Sequence, residues 1–128
     1  MKDKELLDAG LKVRREILGD AHVDRSMNNA TDFNREFQEY ITQAAWGLIW
    51  TRDGLEKKTR SLIVLAITAS LGRWEEFALH LRATKNSGLT KDEVKEVLMQ
   101  LAVYAGVPAA NTAFKEAAAI YKEMEEGK

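Results

Sequence analysis

Apolar residues recur every three to four positions along most of the chain, and strict alternation is scarce. That period predicts helices and no sheet. Leu6, Gly10, Val13 and Ile17 mark one face of a first helix that ends near Gly19. The stretch "GDAHVDRSMNNAT" that follows is dense in polar and turn-forming residues and reads as a loop. Thr31 or Asn29 suits the cap of the next helix, with Phe33, Phe37, Ile41, Ala44 and Leu48 as its expected buried line. Asp53-Gly54 supplies turn chemistry that breaks this helix.

A third helix is expected from about Glu56 to Leu71. Its second half, "SLIVLAITASL", is almost continuously apolar, the pattern of a helix covered on most sides. Gly72 breaks it, and a fourth helix runs to about Ser87, with Gly88 as C-cap. Thr90 and Glu93, three apart, form a capping box before "VKEVLMQLAVY". Pro108 falls in the first turn of the last helix, where its missing N–H costs nothing, and that helix runs to about Glu125. The expectation is an all-α fold, a compact bundle of about six helices, with residues 1–128 as a single domain.

Composition narrows the functions. Apolar residues are 45% and charged residues 30% of the 128, and the net charge is −1. No excess of Lys and Arg points to nucleic acid or to an anionic membrane surface. There is no cysteine, so disulfides, thiolate nucleophiles and thiol redox chemistry are excluded. "MKDKELLDAG" lacks the apolar block of a signal peptide, and Leu62–Ile67 is too short an apolar run to span a bilayer. A cytoplasmic protein is expected.

The candidate chemistry lies in "GRWEEFALHLRA". On a helix wheel Arg73, Glu76, His80 and Thr84 fall within roughly 80° of one another. Trp74, Phe77 and Leu81 fill the adjacent apolar sector. A line at the margin of the core is where partial burial and a near neighbour tune proton chemistry. Glu76 is placed to reach His80 one turn later and to hold one tautomer of the ring. The plainer alternative is a core-edge histidine beside a surface ion pair worth about 0.3–0.5 kcal/mol. His80 has no second histidine near it in sequence, so no metal site is expected.

Other candidates are weaker. His22 lies beside Asp24 and Arg25 in the expected loop, as a lid contact or plain surface. Trp46 and Trp50 are a helical turn apart, as packing or as a site wall. Arg52 and Arg60 flank the helix break, where a guanidinium can grip a carboxylate through two N–H groups.

Four stretches, "VRREILGDAHVDRS", "EFQEYITQAAWGLIWTRDGL", "TRSLIVLAITASLGRWEEFALHLRA" and "VLMQLAVYAGVPAANTAFKEA", resemble the γ-carboxymuconolactone decarboxylases from about Val13 to Ala117. The resemblance implies the alkylhydroperoxidase-D-like all-helical fold and assembly as a trimer or hexamer. The peroxidase branch of that superfamily carries a Glu, then Cys-x-x-Cys, then a His. Here the Glu position is Ser61, the cysteine positions are Arg73 and Glu76, and the His is His80. A line that holds a dithiol there holds a base, an acid and an imidazole here.

The resemblance implies decarboxylation of γ-carboxymuconolactone to 3-oxoadipate enol-lactone, in aromatic (protocatechuate) degradation. Loss of carbon dioxide from the quaternary carbon leaves an electron pair. The pair delocalises through the ring double bond onto the lactone carbonyl, giving a dienolate that is then protonated. The lactone is its own electron sink, so no cofactor and no metal is expected. His80 is the expected proton donor with Glu76 orienting it, or Glu76 donates with its acidity weakened by burial. Arg73, Arg60 and Arg52 are the expected carboxylate grips, Trp46 and Phe77 the dry wall, and His22 a possible substrate contact. The alternatives are an enzyme of the same fold acting on another small lactone or carboxylate, and a non-catalytic helical oligomer. Partners are expected to be a small anionic lactone and further copies of the chain, with no nucleic acid and no membrane.

Overall fold

The computed structural model describes residues 3–127. They are helical, with no strand among them, as the period predicts. Two compact units are formed, one through Glu56 and one from Lys57 onward.

In the first unit, α1 (Lys4–Leu18) starts at Asp3, whose carboxylate accepts the Leu6 N–H at 3.2 Å. Gly10, Val13, Ile17 and Leu18 give it a buried face. Gly19, at φ 91°, stops it, and α2 (Asp20–Asn28) begins at once. The stretch expected to be a loop is therefore a helix. Its apolar signal is a single fully buried side chain, Val23. Arg15 adds ion pairs to Asp20 at 3.2 Å and Asp24 at 2.8 Å. Both are at the surface, where such pairs contribute little.

The next helix, α3 (Arg35–Ile41), runs into a π-helical segment, Thr42–Gly47. There the N–H of Leu48 reaches Gln43 O at 2.9 Å, and that of Trp50 reaches Ala45 O at 3.1 Å, five residues back instead of four. The wider turn rotates the face that follows. The expected buried line fails on both sides of the segment: Phe33 and Phe37, which precede it, and Leu48, which follows it, are exposed. Thr42, Trp46, Gly47 and Trp50 are buried in their place.

In the second unit, α4 (Lys57–Leu71), α5 (Trp74–Arg82), α6 (Thr84–Ser87), α7 (Lys91–Tyr104) and α8 (Val107–Glu126) enclose one core. Leu65, Phe77, Leu81 and Leu98 are its large members. Ala110, Ala113 and Ala117 are its small ones and let α8 approach closely. Truncating Phe77, which is fully buried, to Ala would cost on the order of 3–5 kcal/mol. The capping box of α7 forms as expected. Thr90 Oγ1 accepts the Glu93 N–H at 3.1 Å, and a Glu93 carboxylate oxygen accepts the Thr90 N–H at 3.0 Å. Pro108 sits in the first turn of α8. The structure divides the expected fourth helix at Ala83 into α5 and α6.

Candidate functional site

The line Arg73–Glu76–His80 lies on α5, and Arg60 lies on α4, which packs against α5. The second unit thus brings four of the seven candidates onto two adjoining helices. Arg73 forms the N-cap position of α5 and is exposed. Arg60 is half-buried one residue before Ser61, which is buried. His80 is 8% exposed, in the last turn of α5 between the core side chains Phe77 and Leu81.

Glu76 does not keep the place expected for it. Its side chain is exposed and makes no hydrogen bond or ion pair among the described residues. It is one turn from His80, yet it does not hold the ring. The helix turns Glu76 outward because Phe77 and Leu81 define the inward direction, and His80 is nearer to it. Burial, on which a donor role for Glu76 depended, is missing too. Phe77 is likewise removed from the expected site wall. It is sealed in the core, edge-on to Trp74 with ring centroids 5.5 Å apart.

The other three candidates belong to the first unit. Trp46 sits on the π-helical segment, 7% exposed, and stacks on Trp50 with centroids 4.7 Å apart and planes at 26°. Arg52 is exposed in the turn that follows. His22 is half-buried on α2, with Nε2 3.5 Å from Ser26 Oγ, and so stands on a helix, not on a flexible loop.

Sequence reasoning missed Arg14. Its side chain is 5% exposed, with Nη1 donating to Thr42 Oγ1 at 3.1 Å and Nη2 to Gln38 Oε1 at 3.2 Å. Thr42 in turn donates to Gln38 O at 2.7 Å, which fixes both acceptors. The signal was in the spacing: Gly10, Arg14 and Ile17 recur on one face of α1, as Gln38 and Thr42 do one turn apart. Among the described residues no three His, Asp or Glu side chains gather as a metal-ligand set.

The described residues are all-helical, and a chain without cysteine cannot run thiol peroxidase chemistry, which leaves the acid–base chemistry of His80 and its neighbours. Residues 35–119 match the carboxymuconolactone decarboxylase family, and the chain belongs to that family. A 4-carboxymuconolactone decarboxylase of Acinetobacter baylyi is 46% identical over 97% of this chain and 92% of its own. A nitrosuccinic acid decarboxylase of Metarhizium robertsii is 42% identical over 83% of this chain and 74% of its own. A 4-carboxymuconolactone decarboxylase of Pseudomonas putida is 57% identical, over 37% of this chain and 98% of that shorter sequence.

Proposed function

We propose that this protein decarboxylates γ-carboxymuconolactone to the enol-lactone without a cofactor. The observation that carries the proposal is the 46% identity to a 4-carboxymuconolactone decarboxylase across almost the full length of both chains. The quaternary carbon loses carbon dioxide, and its electron pair passes through the ring double bond to the lactone carbonyl. Carbon next to that carbonyl then takes a proton. His80 delivers it, a step typically worth about 10²–10⁴ in rate. Arg60 and Arg73 hold the carboxymethyl carboxylate, the group that does not leave. Gripping the departing carboxylate instead would stabilise the ground state and gain nothing in kcat. Glu76 contributes no orienting bond and is proposed as a peripheral charge. Arg52, Trp46 and His22 are assigned no step.

A second reading rests on the nitrosuccinic acid decarboxylase relative. Nitrosuccinic acid also has a carboxymethyl group on a carbon that bears both a carboxylate and an electron acceptor. Loss of carbon dioxide next to a nitro group gives a nitronate, as loss from the lactone gives a dienolate. One distal carboxylate grip and one proton donor serve both reactions.

Assembly as a trimer or hexamer in the cytoplasm belongs to the same proposal. Each unit leaves large apolar side chains uncovered: Phe33 in the turn before α3, Phe37 and Tyr40 on α3, and Ile67, Leu71, Val103 and Tyr104 on α4 and α7. A second copy of the chain is the proposed cover. No helix among the described residues is long and apolar enough to cross a membrane.

The test supplies purified protein with γ-carboxymuconolactone and, separately, with nitrosuccinate, and follows carbon dioxide release. Turnover of the lactone at a higher kcat/KM supports the first reading. The reverse preference supports the second, and folded protein inert toward both removes both.

A further inference from the structure

Arg60 and Arg73 hold one carboxylate in the proposed reaction, yet they stand at opposite ends of α4. Leu71, the last residue of α4, is eleven residues past Arg60, which is about 16 Å of helix. Arg73 lies beyond it, across the turn at Gly72, where φ is 72°. It is exposed and its side chain makes no hydrogen bond or ion pair among the described residues. His80 belongs to the Arg60 end. Only Gly72 and Arg73 join α4 to α5, and the two helices pack together, so α5 returns along α4. The α6 helix that follows packs on α4 as well. Within one copy, the two arginines meet at a carboxylate only if both stems lie stretched along the helix between them.

That length of helix is apolar and uncovered. Arg60, Ile63, Ile67 and Leu71 fall within about 80° on the helix wheel, and the three apolar side chains are exposed. None of residues 61–72 is charged. Beside the stripe runs a groove of about 330 Å³ between α4 and α7, lined by Ile63, Ala66, Ser70, Val97 and Tyr104 among others. Small side chains at Ala66 and Ser70 leave room there for the ridge of another helix.

The stripe is symmetric about Ile67. Ile63 precedes it by four residues and Leu71 follows it by four. Arg60 precedes it by seven, and Arg73 follows it by six. A second α4 laid antiparallel on a two-fold axis at Ile67 sets Ile63 against the partner's Leu71 and Arg60 beside the partner's Arg73. Such a contact uses the same patch on both copies and buries no charge between its two ends. Ile63, Ile67, Leu71, Val103 and Tyr104 expose on the order of 700 Å², near the roughly 800 Å² per partner of a stable interface.

We propose that two copies pair antiparallel through α4 and that the reaction site is shared: Arg60 and His80 of one copy act with the partner's Arg73. A carboxylate between the two guanidiniums relieves their repulsion and accepts N–H bonds from both. Each pair holds two such sites, and a two-fold pair fits a hexamer and not a lone trimer. The inference rests on the decarboxylase reading.

The experiment co-expresses Arg60→Ala and Arg73→Ala chains, so that they assemble at random, and measures kcat/KM for the lactone. A mixed pair has one site with both arginines and one with neither, so roughly one quarter of all sites regain the full grip. With each parent lowered about tenfold, the mixture should exceed either parent by about threefold. Arginines acting within one copy give no rise, and that result overturns the proposal. So does a wild-type KM in either single variant. Ile67→Asp is the second arm, and it should fold because Ile67 is exposed and outside the core. It should sediment as smaller species and raise KM as Arg73→Ala does. Ile67→Asp with the wild-type assembly or the wild-type KM overturns the proposal. Wild type inert toward the lactone ends the decarboxylase reading and this one with it, whereas active wild type without the rise ends this one alone.

Discussion

Gly10 of α1 faces the main chain of Gly47 so closely that a Cβ on Gly10 would stand 3.0 Å from the Gly47 nitrogen, and closer still to the Thr42 carbonyl oxygen. The reverse approach is as tight. A Cβ on Gly47 would stand 2.8 Å from both the main-chain oxygen and a methyl group of Leu6. Main-chain atoms cannot move aside as a side-chain tip can. Gly10→Ala and Gly47→Ala should therefore each destabilise the protein by about 1–3 kcal/mol, the usual cost of overpacking. Urea unfolding followed by tryptophan fluorescence measures it, because Trp46 lies in the displaced segment. Gly54→Ala, with nothing within 4 Å of the added atom, is the control and should be near neutral.

His80 and Glu76 should separate cleanly in kinetics. His80→Gln keeps much of the volume of a buried ring and removes the imidazole. It should lower kcat by at least about tenfold with a smaller change in KM, as expected for loss of a proton donor. Glu76→Gln should change kcat by less than about threefold, since an exposed carboxylate without a partner has little to lose. A large loss in Glu76→Gln together with an active His80→Gln would exchange their roles.

How far the sequence carried can be read from particular residues. The capping box at Thr90 and Glu93 was legible because its two hydrogen bonds are local and its residue types are few. The α2 helix was not, because one apolar anchor, Val23, decides it, and a single buried side chain leaves no period to read. The π-helical turn was invisible for a different reason. It lies where α1 approaches closely through Gly10 and Gly47, a contact distant in sequence that local spacing does not carry, and Leu48, just after it, leaves its expected face. In the site, spacing placed Glu76 and His80 on one helix, with Arg73 at its N-cap. It did not show that Glu76 turns to solvent, because a sector about 80° wide at a core margin includes both buried and exposed positions.

Arg60→Ala and Arg73→Ala test the carboxylate grip. A cation that holds the remote carboxylate equally in substrate and transition state contributes uniform binding. Its removal should raise KM by about tenfold or more and leave kcat within a few-fold. Measured kcat and KM for the lactone decide this. A fall in kcat at constant KM would place the arginine at the developing oxyanion instead.

Acid should act on the start of α7. The Thr90 N–H, and after it the Lys58 ammonium 3.0 Å away, hold the Glu93 carboxyl below its ordinary value of 4.5. A depressed carboxyl stabilises the fold above its unfolded value, and that contribution is lost as pH falls through the lower folded value. Wild type should therefore be more stable than Glu93→Gln at pH 7. The gap should narrow below about pH 4.5 and close in stronger acid, as thermal melts of both proteins across that range would show. A gap that is constant with pH would mean that Glu93 acts through shape alone.

Tyr104 and Val103 end α7 with 85% and 80% of their surface uncovered, and Ile67 and Leu71 on α4 add 51% and 64%. Isolated apolar side chains at a surface are ordinary, but this many on two packed helices is the pattern of a covered interface. Wild type should sediment as a multiple of the 14.4 kDa chain. A Val103→Asp/Tyr104→Asp double variant should shift toward smaller species, since a buried unpaired carboxylate at an interface is costly. Neither residue belongs to the second unit's core, so the variant should keep its helical circular dichroism. Wild type running as a single chain at micromolar concentration would leave that apolar surface without the proposed cover. Unchanged assembly in the double variant would move the interface to another face, with Phe33 and Phe37 the next to substitute.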